Sequence, residues 1–265
     1  MRSDGPSLTA LGVALIRSRL ERPASPTGDA AAEARLVESL GIDANDRRPL
    51  PRDALTEWVT ARTRFVDEAV VRAMGDGVTQ IVQLGAGYDG RALRFRSPGV
   101  TFFEVDHPAT QADKRERLAA VDASTEGIEF VAADFTEPGL PAALVARGHD
   151  PDLRSLVVCE GVLRYLPEQW FRALLESAAA VSAPASELAV TIPTRGRDRD
   201  DAARRARLEH EQRLADVGEP VLTVPERDVA MSWLAEAGWS VDDVDDVGDG
   251  PDGVRTGRLL VLAHR

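Results

Sequence analysis

The chain has 265 residues, of which 43% are hydrophobic, and this length and composition suit one α/β domain with additions. Its formal net charge of −12 argues against non-specific binding to nucleic acid, which requires a basic surface. No apolar run approaches the roughly 18 residues of a membrane span, so no membrane insertion is expected. Cys159 is the only cysteine, which excludes a disulfide framework and makes a reducing cytoplasm the expected location.

Turn-rich segments divide the first 75 residues into helical stretches. The predicted helices lie near 7–20, 29–40 and 53–74. The first is amphipathic, carries Arg17 and Arg19, and lacks the cleavage site of a signal peptide. We expect residues 1–75 to form a helical cap over a ligand cleft and not an independent domain.

From residue 79 onward, short β-rich runs alternate with helical segments, a pattern typical of βαβ units and a parallel sheet. The predicted strands are 79–84, 101–105, 128–132, 155–160, 187–192, 239–246 and 258–264. The predicted helices between them lie near 89–96, 108–121, 138–147, 167–181 and 225–237. Only a turn-rich stretch (247–253) joins the last two strands, which predicts an antiparallel pair at the sheet edge. Residues 76–265 are therefore expected to form an α/β, Rossmann-like domain with a seven-stranded, mostly parallel sheet and an antiparallel last strand.

A densely charged segment follows the fifth predicted strand. Residues 194–216 read TRGRDRDDAARRARLEHEQRLAD. We expect a helical lid within an insertion of about 194–224, although a solvated surface helix has the same charge pattern.

The loop after the first predicted strand contains the spacing Gly85-x-Gly87-x-x-Gly90, the fingerprint of dinucleotide-binding folds. Such glycines let the backbone approach a ligand closely at the carboxyl edge of a sheet. The second predicted strand ends in two acids, Glu104 and Asp106, and an acid at this point binds the ribose hydroxyls of an adenosine. NAD and S-adenosylmethionine both carry that ribose, so the acid does not distinguish between them.

Two further acids favour S-adenosylmethionine. Asp89 falls in the first turn of the helix after the glycine loop, where a carboxylate would repel a pyrophosphate but suit a cationic ligand. Asp134 ends the third predicted strand and could accept from an adenine amino group, with Phe135 packing against the base; it could instead cap the next helix. Together with Asp106, these acids at successive strand ends predict a cradle for a cationic methyl donor.

Four motifs resemble the leucine carboxyl methyltransferase-like family, which includes protein phosphatase methyltransferases and many bacterial and polyketide-pathway O-methyltransferases. The motifs are ARTRFVDEAV (61–70), QLGAGYDGRALR (83–94), FFEVDHP (102–108) followed by Lys114, and CEGVLRYLP (159–167). The resemblance covers about residues 8–192 and departs from the family's pattern at Gly90, where threonine is usual. It implies a class I methyltransferase fold, S-adenosyl-L-methionine as cofactor and a small-molecule acceptor.

The predicted cofactor-binding residues are Arg17, Arg62, Gly85, Ala86, Gly87, Asp89, Asp106, His107, Asp134, Phe135 and Glu160. Of these, the resemblance implies Arg17, Arg62, Gly85, Asp106, Asp134, Phe135 and Glu160. Within this set, Asp106 would bind the ribose, and Asp134 and Phe135 would hold the adenine. Glu160 would approach the methionine moiety, and His107 would either flank the adenine or face solvent.

Two basic positions are implied in pairs. Arg62 would pair with the methionine carboxylate, or Arg64 would take that place if the register slips by two residues. An N-terminal basic residue also reaches the cofactor in this family, and Arg17 is preferred to Arg19.

The few histidines bear on the acceptor. A carboxylate, with a pKa of about 4, is ionised at neutral pH and needs no base, whereas an alcohol or phenol benefits from one, commonly histidine. His149 is expected in an exposed loop and His264 lies near the end of the sequence, so His210 in the charged segment is the histidine placed to reach an acceptor. This scarcity favours a carboxylate or an easily ionised hydroxyl.

Other polar residues near the strand ends are candidates for the acceptor site. Arg164 and Tyr165 follow the fourth predicted strand and could position the acceptor; a solvated arginine and a packed tyrosine are the alternatives. Arg195 is a similar candidate. Cys159 is interpreted as a small buried strand residue, since no histidine is placed to activate it. Acids and histidines do not cluster at metal-ligand spacing, so no metal is predicted.

The preferred hypothesis is an S-adenosyl-L-methionine-dependent O-methyltransferase that acts on a carboxyl or acidic hydroxyl of a small molecule, with secondary metabolism as one setting. The alternatives are an NAD-dependent oxidoreductase that uses the glycine loop and a catalytically silent cofactor-binding scaffold. The oxidoreductase hypothesis lacks a recognisable proton-transfer group. Oligomeric state and acceptor identity do not follow from the sequence.

Overall fold

The computed structural model of the chain describes residues 8–42, 50, 54–196, 200–216, 218–247 and 257–265. Its helices are α1 (Leu8–Ser18), α2 (Ala30–Ser39), α3 (Ala54–Gly75), α4 (Arg91–Arg94), α5 (Pro108–Ala120), α6 (Leu140–Val145), α7 (Glu168–Ala180), α8 (Asp201–Asp216) and α9 (Arg227–Glu236). Its strands are β1 (Gln80–Leu84), β2 (Thr101–Asp106), β3 (Ile128–Ala132), β4 (Ser155–Cys159), β5 (Glu187–Pro193), β6 (Ser240–Asp246) and β7 (Arg258–His264). Within this part of the chain, no helix has the length and apolar character needed to cross a membrane.

The seven strands form one sheet in the order β3-β2-β1-β4-β5-β7-β6. Strands β1 to β5 pair in parallel, whereas β7 runs antiparallel to both of its neighbours, β5 and β6. The predicted mostly parallel sheet with an antiparallel last strand is therefore confirmed. The strand order reverses between β1 and β4, and a crevice forms at such a switch point beyond the carboxyl ends of the strands.

Alternating side chains of the central strands build an apolar layer on each face of the sheet. In β1, Val82 and Leu84 pack into the layer that also contains residues of α6, α7 and α9. Ile81 points to the other face, into the layer shared with α2, α3 and α5. Every residue of β1 and β4 is buried, which explains why both strands read as nearly continuous apolar runs.

The outer strand β6 has a different composition from the central strands. Its sequence SVDDVDD is largely exposed and acidic, and its pairing with β7 is irregular between Val241 and Asp243. Charges and irregular pairing on an edge strand disfavour pairing with another chain.

Three predicted boundaries differ from the structure. Helix α4 is only four residues long and begins at Arg91, because Asp89 Oδ1 instead accepts from the Arg91 amide at 2.9 Å. Helix α6 begins at Leu140 and not near 138, since Gly139 takes a φ of 113° before it. Helix α8 occupies the later part of the predicted 194–216 segment. The predicted turn at 247–253 lies, apart from its first residue, outside the described residues.

The three N-terminal helices pack against the sheet domain. Helix α3 contacts β4, β5 and β7, while α1 packs on α2 and α3. Helix α2 contacts α4 and α5. This arrangement brings α1 and α3 to the carboxyl edge of the sheet.

Candidate active site

A cavity of about 1890 Å³ opens at the carboxyl ends of the strands near the switch point. The loops after β1, β2, β3 and β4 form one side of it, including a short 3-10 turn at Leu163–Tyr165. Residues of α1, α3, α8 and the start of β7 form the other walls. This is the position at which open α/β sheets bind their ligands.

The glycine loop approaches the cavity with its backbone. Gly85 has a φ of 75° and Gly87 a φ of 49°, a region that glycine adopts without strain. A Cβ on Gly85 would lie 2.2 Å from Val162 Cγ2. The third glycine, Gly90, serves packing instead, since its Cβ would lie 2.2 Å from Glu33 Cγ on α2. The dinucleotide-like spacing therefore has a local structural cause.

Of the two acids near the end of β2, Asp106 lines the cavity. Its Oδ2 accepts from the Gly87 amide at 2.6 Å and its Oδ1 from the His107 amide at 2.7 Å. Burial raises the pKa of Asp106, although both hydrogen bonds act in the opposite direction. Glu104 lies under α5 instead, where its carboxylate pairs with Lys114 Nζ at 2.6 Å.

The loops after β2 and β3 meet at one end of the cavity. His107 caps α5, its Nδ1 accepting from the Ala109 amide at 3.3 Å, and its Nε2 lies 4.0 Å from Asp134 Oδ2. Asp134 Oδ1 accepts from the amide and hydroxyl of Thr136, which lowers the pKa of its carboxyl. The prediction that Asp134 could cap the next helix is wrong, because Gly139 holds that position. Phe135 lines the cavity beside Asp134.

Four charged side chains meet where β4 ends, close to α1 and α3. Glu160 Oε1 lies 2.5 Å from Arg17 Nη2 and 2.8 Å from Arg62 Nε. Asp89 lies 3.1 Å from Arg17 Nη1. Burial opposes ionisation of Glu160 and Asp89, but neighbouring arginines outweigh it and hold the pKa of each carboxyl below its ordinary value.

The arginine at the centre of this cluster, Arg91, was not predicted from the sequence. It is fully buried, its Nη1 lies 2.7 Å from Glu160 Oε2 and also pairs with Asp89, and its Nε lies 2.6 Å from Asp67 Oδ1. Asp67 also pairs with Arg22 Nε at 2.7 Å. The negative charge of Asp89 is thus matched by arginines of the protein, while Asp89 also lines the cavity.

A signal for this cluster was present in the sequence. Asp67 lies four residues after Thr63 and one after Val66, on the buried face of α3. An acid on the buried face of a helix requires a partner charge.

The alternative basic residues lie elsewhere. Arg64 is exposed, and neither Arg64 nor Arg19 contributes to the cavity wall, whereas Arg17 and Arg62 both do.

The cavity wall just beyond the end of β4 contains the residues predicted to position an acceptor. Arg164 and Tyr165 lie on the 3-10 turn and line the cavity, and the Arg164 guanidinium stacks 5.7 Å from the centre of the Tyr165 ring. Arg195 also lines it but is exposed and lies 3.7 Å from Glu226. The predicted role of His210 concerns a side chain outside the described part of the structure.

The remaining candidate residues lie away from the cavity wall. Cys159 is buried, and burial raises its pKa to about 12, which disfavours a nucleophilic thiolate. The prediction that His149 is exposed is wrong: it is 2% exposed and packs edge-on against Phe103. His264 pairs with Asp242 on β6 at 2.7 Å. Among the described residues, no group of acids, histidines and cysteines could hold a metal ion.

The sheet order, with β7 inserted antiparallel between β5 and β6, and the cavity beside a glycine loop define a class I methyltransferase fold. A family model for leucine carboxyl methyltransferases matches residues 10–179. The chain belongs to the leucine carboxyl methyltransferase family, as the four motifs predicted.

Two relatives support this membership over nearly the whole chain. A protein of Mycobacteroides abscessus, provisionally named an S-adenosyl-L-methionine-dependent methyltransferase, is 34% identical over 91% of this chain and 84% of its own. A relative from Rhodococcus jostii with the same provisional name is 36% identical over 91% of this chain and 87% of its own.

Solved structures share the fold. A methyltransferase structure from Thermobifida fusca aligns with a TM-score of 0.59 at 16% identity, covering 94% of this chain and 97% of that one. The magnesium protoporphyrin IX methyltransferase of Synechocystis, solved with bound S-adenosylhomocysteine, aligns with a TM-score of 0.51 at 13% identity, covering 89% and 95%.

The protein is therefore an S-adenosyl-L-methionine-dependent methyltransferase. The family assignment decides against both alternatives, the NAD-dependent oxidoreductase and the catalytically silent scaffold.

Two buried atoms at the cavity fit this cofactor. Neither Arg62 Nε nor Glu160 Oε1 has a hydrogen bond among the described residues, although ion-pair distances join Glu160 Oε1 to Arg62 Nε and to Arg17 Nη2. Arg62 Nε is a hydrogen-bond donor on a positively charged group, and Glu160 Oε1 is a hydrogen-bond acceptor on a negatively charged group. The methionine end of the cofactor carries a carboxylate and an ammonium group, which match this pair.

Proposed function

We propose that the protein is an O-methyltransferase that methylates a carboxyl group of a small-molecule acid. When bound, S-adenosyl-L-methionine supplies a methyl group on a positively charged sulfur, ready for in-line displacement. The protein must therefore hold the acceptor oxygen in line with that methyl group and exclude water.

The proposed cofactor position follows from the polar groups along the cavity. Arg62 binds the methionine carboxylate and Glu160 its ammonium group, with Arg17 fixing the Glu160 carboxylate. Asp106 accepts from the ribose hydroxyls, since its oxygens lie at the carboxyl end of β2 beside the glycine loop. Asp134, His107 and Phe135 surround the adenine.

The observation that carries the carboxyl assignment is the composition of the other end of the cavity. Its described polar side chains include Arg164, Tyr165 and Arg195, and the histidine of the described cavity wall, His107, lies at the proposed adenine end. A carboxylate is ionised at neutral pH and needs orientation but no base. In our proposal Arg164 and Tyr165 position the acceptor molecule, so that its reacting carboxylate faces the methyl group.

The helices around the cavity have proposed roles as well. Residues 1–75 act as a helical cap, with α1 and α3 closing one wall. The insertion of about 194–224 acts as a lid through α8, whose residues line the cavity from the acceptor side. Both would limit the access of water to the methyl group.

A labelled-methyl assay tests the proposal. The protein would be incubated with methyl-labelled S-adenosyl-L-methionine and extracts or panels of carboxylic acids, and the products treated with mild alkali. A methyl ester releases labelled methanol under these conditions, whereas a methyl ether does not. Products that all withstand alkali would contradict carboxyl methylation and point to a hydroxyl acceptor.

The ribose assignment has its own test. Asp106→Ala should weaken S-adenosylhomocysteine binding by about 1–3 kcal/mol, because charge-assisted hydrogen bonds are lost. Isothermal titration measures this change, with Glu116→Ala, an exposed acid on α5, as the matched control. Equal affinity of Asp106→Ala and the control would refute the assignment.

A further inference from the structure

The part of the cavity wall outside the proposed cofactor position is rich in arginine. Its described charged residues are five arginines, Arg164, Arg195, Arg207, Arg213 and Arg258, and two acids, Glu57 and Glu211. Ion pairs match two of these arginines, since Arg195 lies 3.7 Å from Glu226 and Arg207 lies 3.2 Å from Glu211.

Two of these arginines, Arg164 and Arg258, have partly buried side chains. Arg164 Nε is buried and has no hydrogen-bond partner among the residues that the structure describes. The backbone around it is fixed, because its carbonyl accepts from the amides of Leu222 and Thr223 at 2.8 and 3.3 Å. A buried guanidinium nitrogen without a partner is costly unless a ligand supplies one.

Arg258, the first residue of β7, lines the same cavity as Arg164 and is paired with Pro193 of β5. Burial lowers the pKa of Arg258, and the nearby positive charge of Arg164 lowers it further against the opposing effect of Glu57. Guanidinium groups stay protonated at neutral pH, so both charges persist there. An anion bound in the cavity would be attracted by both guanidinium charges.

We infer that Arg164 and Arg258 form an anion-binding subsite that holds a second, non-reacting carboxylate or phosphate of the acceptor. The reacting carboxylate is a poor occupant, because its charge disappears on methylation and tight pairing with two guanidiniums would stabilise the substrate more than the transition state. A non-reacting anion keeps its charge throughout the reaction, so its binding energy positions the acceptor without opposing the chemistry. The inference rests on the proposed function and gives the acceptor the class of a dianionic small acid.

Binding to the S-adenosylhomocysteine complex tests the subsite without any need for turnover. Thermal unfolding of this complex would be followed in sodium phosphate and in sodium chloride of equal ionic strength. We expect phosphate to raise the melting temperature beyond chloride, since a ligand of the folded state stabilises it by mass action. Benzene-1,4-dicarboxylate should likewise bind about tenfold more tightly than its monomethyl ester, as one charge-assisted contact is lost in the ester.

The variants that matter are Arg258→Gln and Arg164→Gln, each expected to weaken phosphate binding about tenfold, with Arg164→Lys intermediate. Arg172→Gln is the matched control, because Arg172 pairs with Glu236 on the surface away from the cavity. Calorimetric binding of S-adenosylhomocysteine verifies that each variant is folded. The inference is overturned if phosphate acts no better than chloride, or if its effect survives both substitutions.

The two proposals fail separately. Alkali-labile methyl esters without phosphate binding would leave the carboxyl methyltransferase and remove the subsite. Phosphate binding with alkali-stable products would leave the subsite and remove the carboxyl assignment.

Discussion

Both the backbone conformation and the packing at position 85 favour glycine. Its φ of 75° disfavours any side chain, and a Cβ would collide with Val162 at 2.2 Å. We therefore expect Gly85→Ala to lose about 1–3 kcal/mol of unfolding free energy and to weaken S-adenosylhomocysteine binding, as the loop must shift. Urea unfolding and isothermal titration measure the two effects.

Gly99 provides a close control for this prediction. Its φ of 79° is nearly the same, but no atom lies within 4 Å of its Cβ position. Gly99→Ala should show the backbone cost alone and leave cofactor binding unchanged. Adding Val162→Ala to Gly85→Ala should restore part of the stability; no recovery would mean that the collision is not the cause.

For individual residues, the sequence predicted which side chains line the cavity more reliably than it predicted the contacts of those side chains. Asp106 could be placed because a strand end exposes its last residue to the cleft. The ion pairs of Arg91 could not be read from the sequence, since they join α3, α4 and the end of β4 across large separations. The prediction that His149 is exposed was wrong for a related reason. Its ring packs edge-on against Phe103 of β2, which is distant in the sequence.

Arg91 of α4 forms ion pairs with Asp67 of α3 and with Glu160, the residue after β4. Arg91→Met should cost about 3–5 kcal/mol of unfolding free energy, because it removes a fully buried cation shared by Asp67, Asp89 and Glu160. Urea unfolding provides the measurement. Arg172→Met, which removes one exposed ion pair on α7, should cost below about 1 kcal/mol. Similar losses of unfolding free energy in Arg91→Met and Arg172→Met would show that the buried ion pairs stabilise the protein no more than an exposed one.

The stability of the protein should depend on pH through Glu160, the residue that follows β4. The folded state lowers the pKa of Glu160 below its ordinary value of 4.5, so its contribution to stability is present above that pH and is lost as the pH falls towards the folded-state pKa. Glu160→Gln should therefore be less stable than the natural protein at neutral pH, with a gap that narrows below pH 4.5. Denaturant unfolding across this range, with Glu116→Gln as control, measures the gap; a constant gap would contradict the assignment.

The elements themselves were largely predictable. All seven strands were placed to within one or two residues. The buried parallel strands are mostly apolar and lie between turn residues, and β6 and β7 lie on either side of a turn-rich stretch of sequence. Helices were less well bounded, as at α4, where the Asp89 side chain accepts from the Arg91 amide before the helix begins. The insertion of β7 between β5 and β6 is a matter of topology that local pattern does not contain.

For the whole molecule, cofactor binding should tie the N-terminal helices to the sheet. Arg17 and Arg62 reach the cavity from α1 and α3, while Glu160 and Asp106 reach it from the sheet. We expect S-adenosylhomocysteine to slow amide hydrogen exchange in α1 and α3, because a ligand that contacts both parts must be released before they separate. Mass spectrometry measures this exchange, with α7, on the far side of the sheet from α3, as internal control. Protection confined to the glycine loop would contradict the cap role.

The position of β7 in the sheet affects how the chain folds during its synthesis. Residues 258–264 form β7, which lies between β5 and β6 in the sheet. Until β7 has been synthesised, one edge of β5 has no partner strand. This strand is apolar, and its Leu188, Val190 and Ile192 are fully buried in the folded protein. Such an edge invites pairing with a neighbouring nascent chain. The sheet is therefore complete only after residues 258–264 have been synthesised, and growth at low temperature or with chaperones should raise the soluble yield.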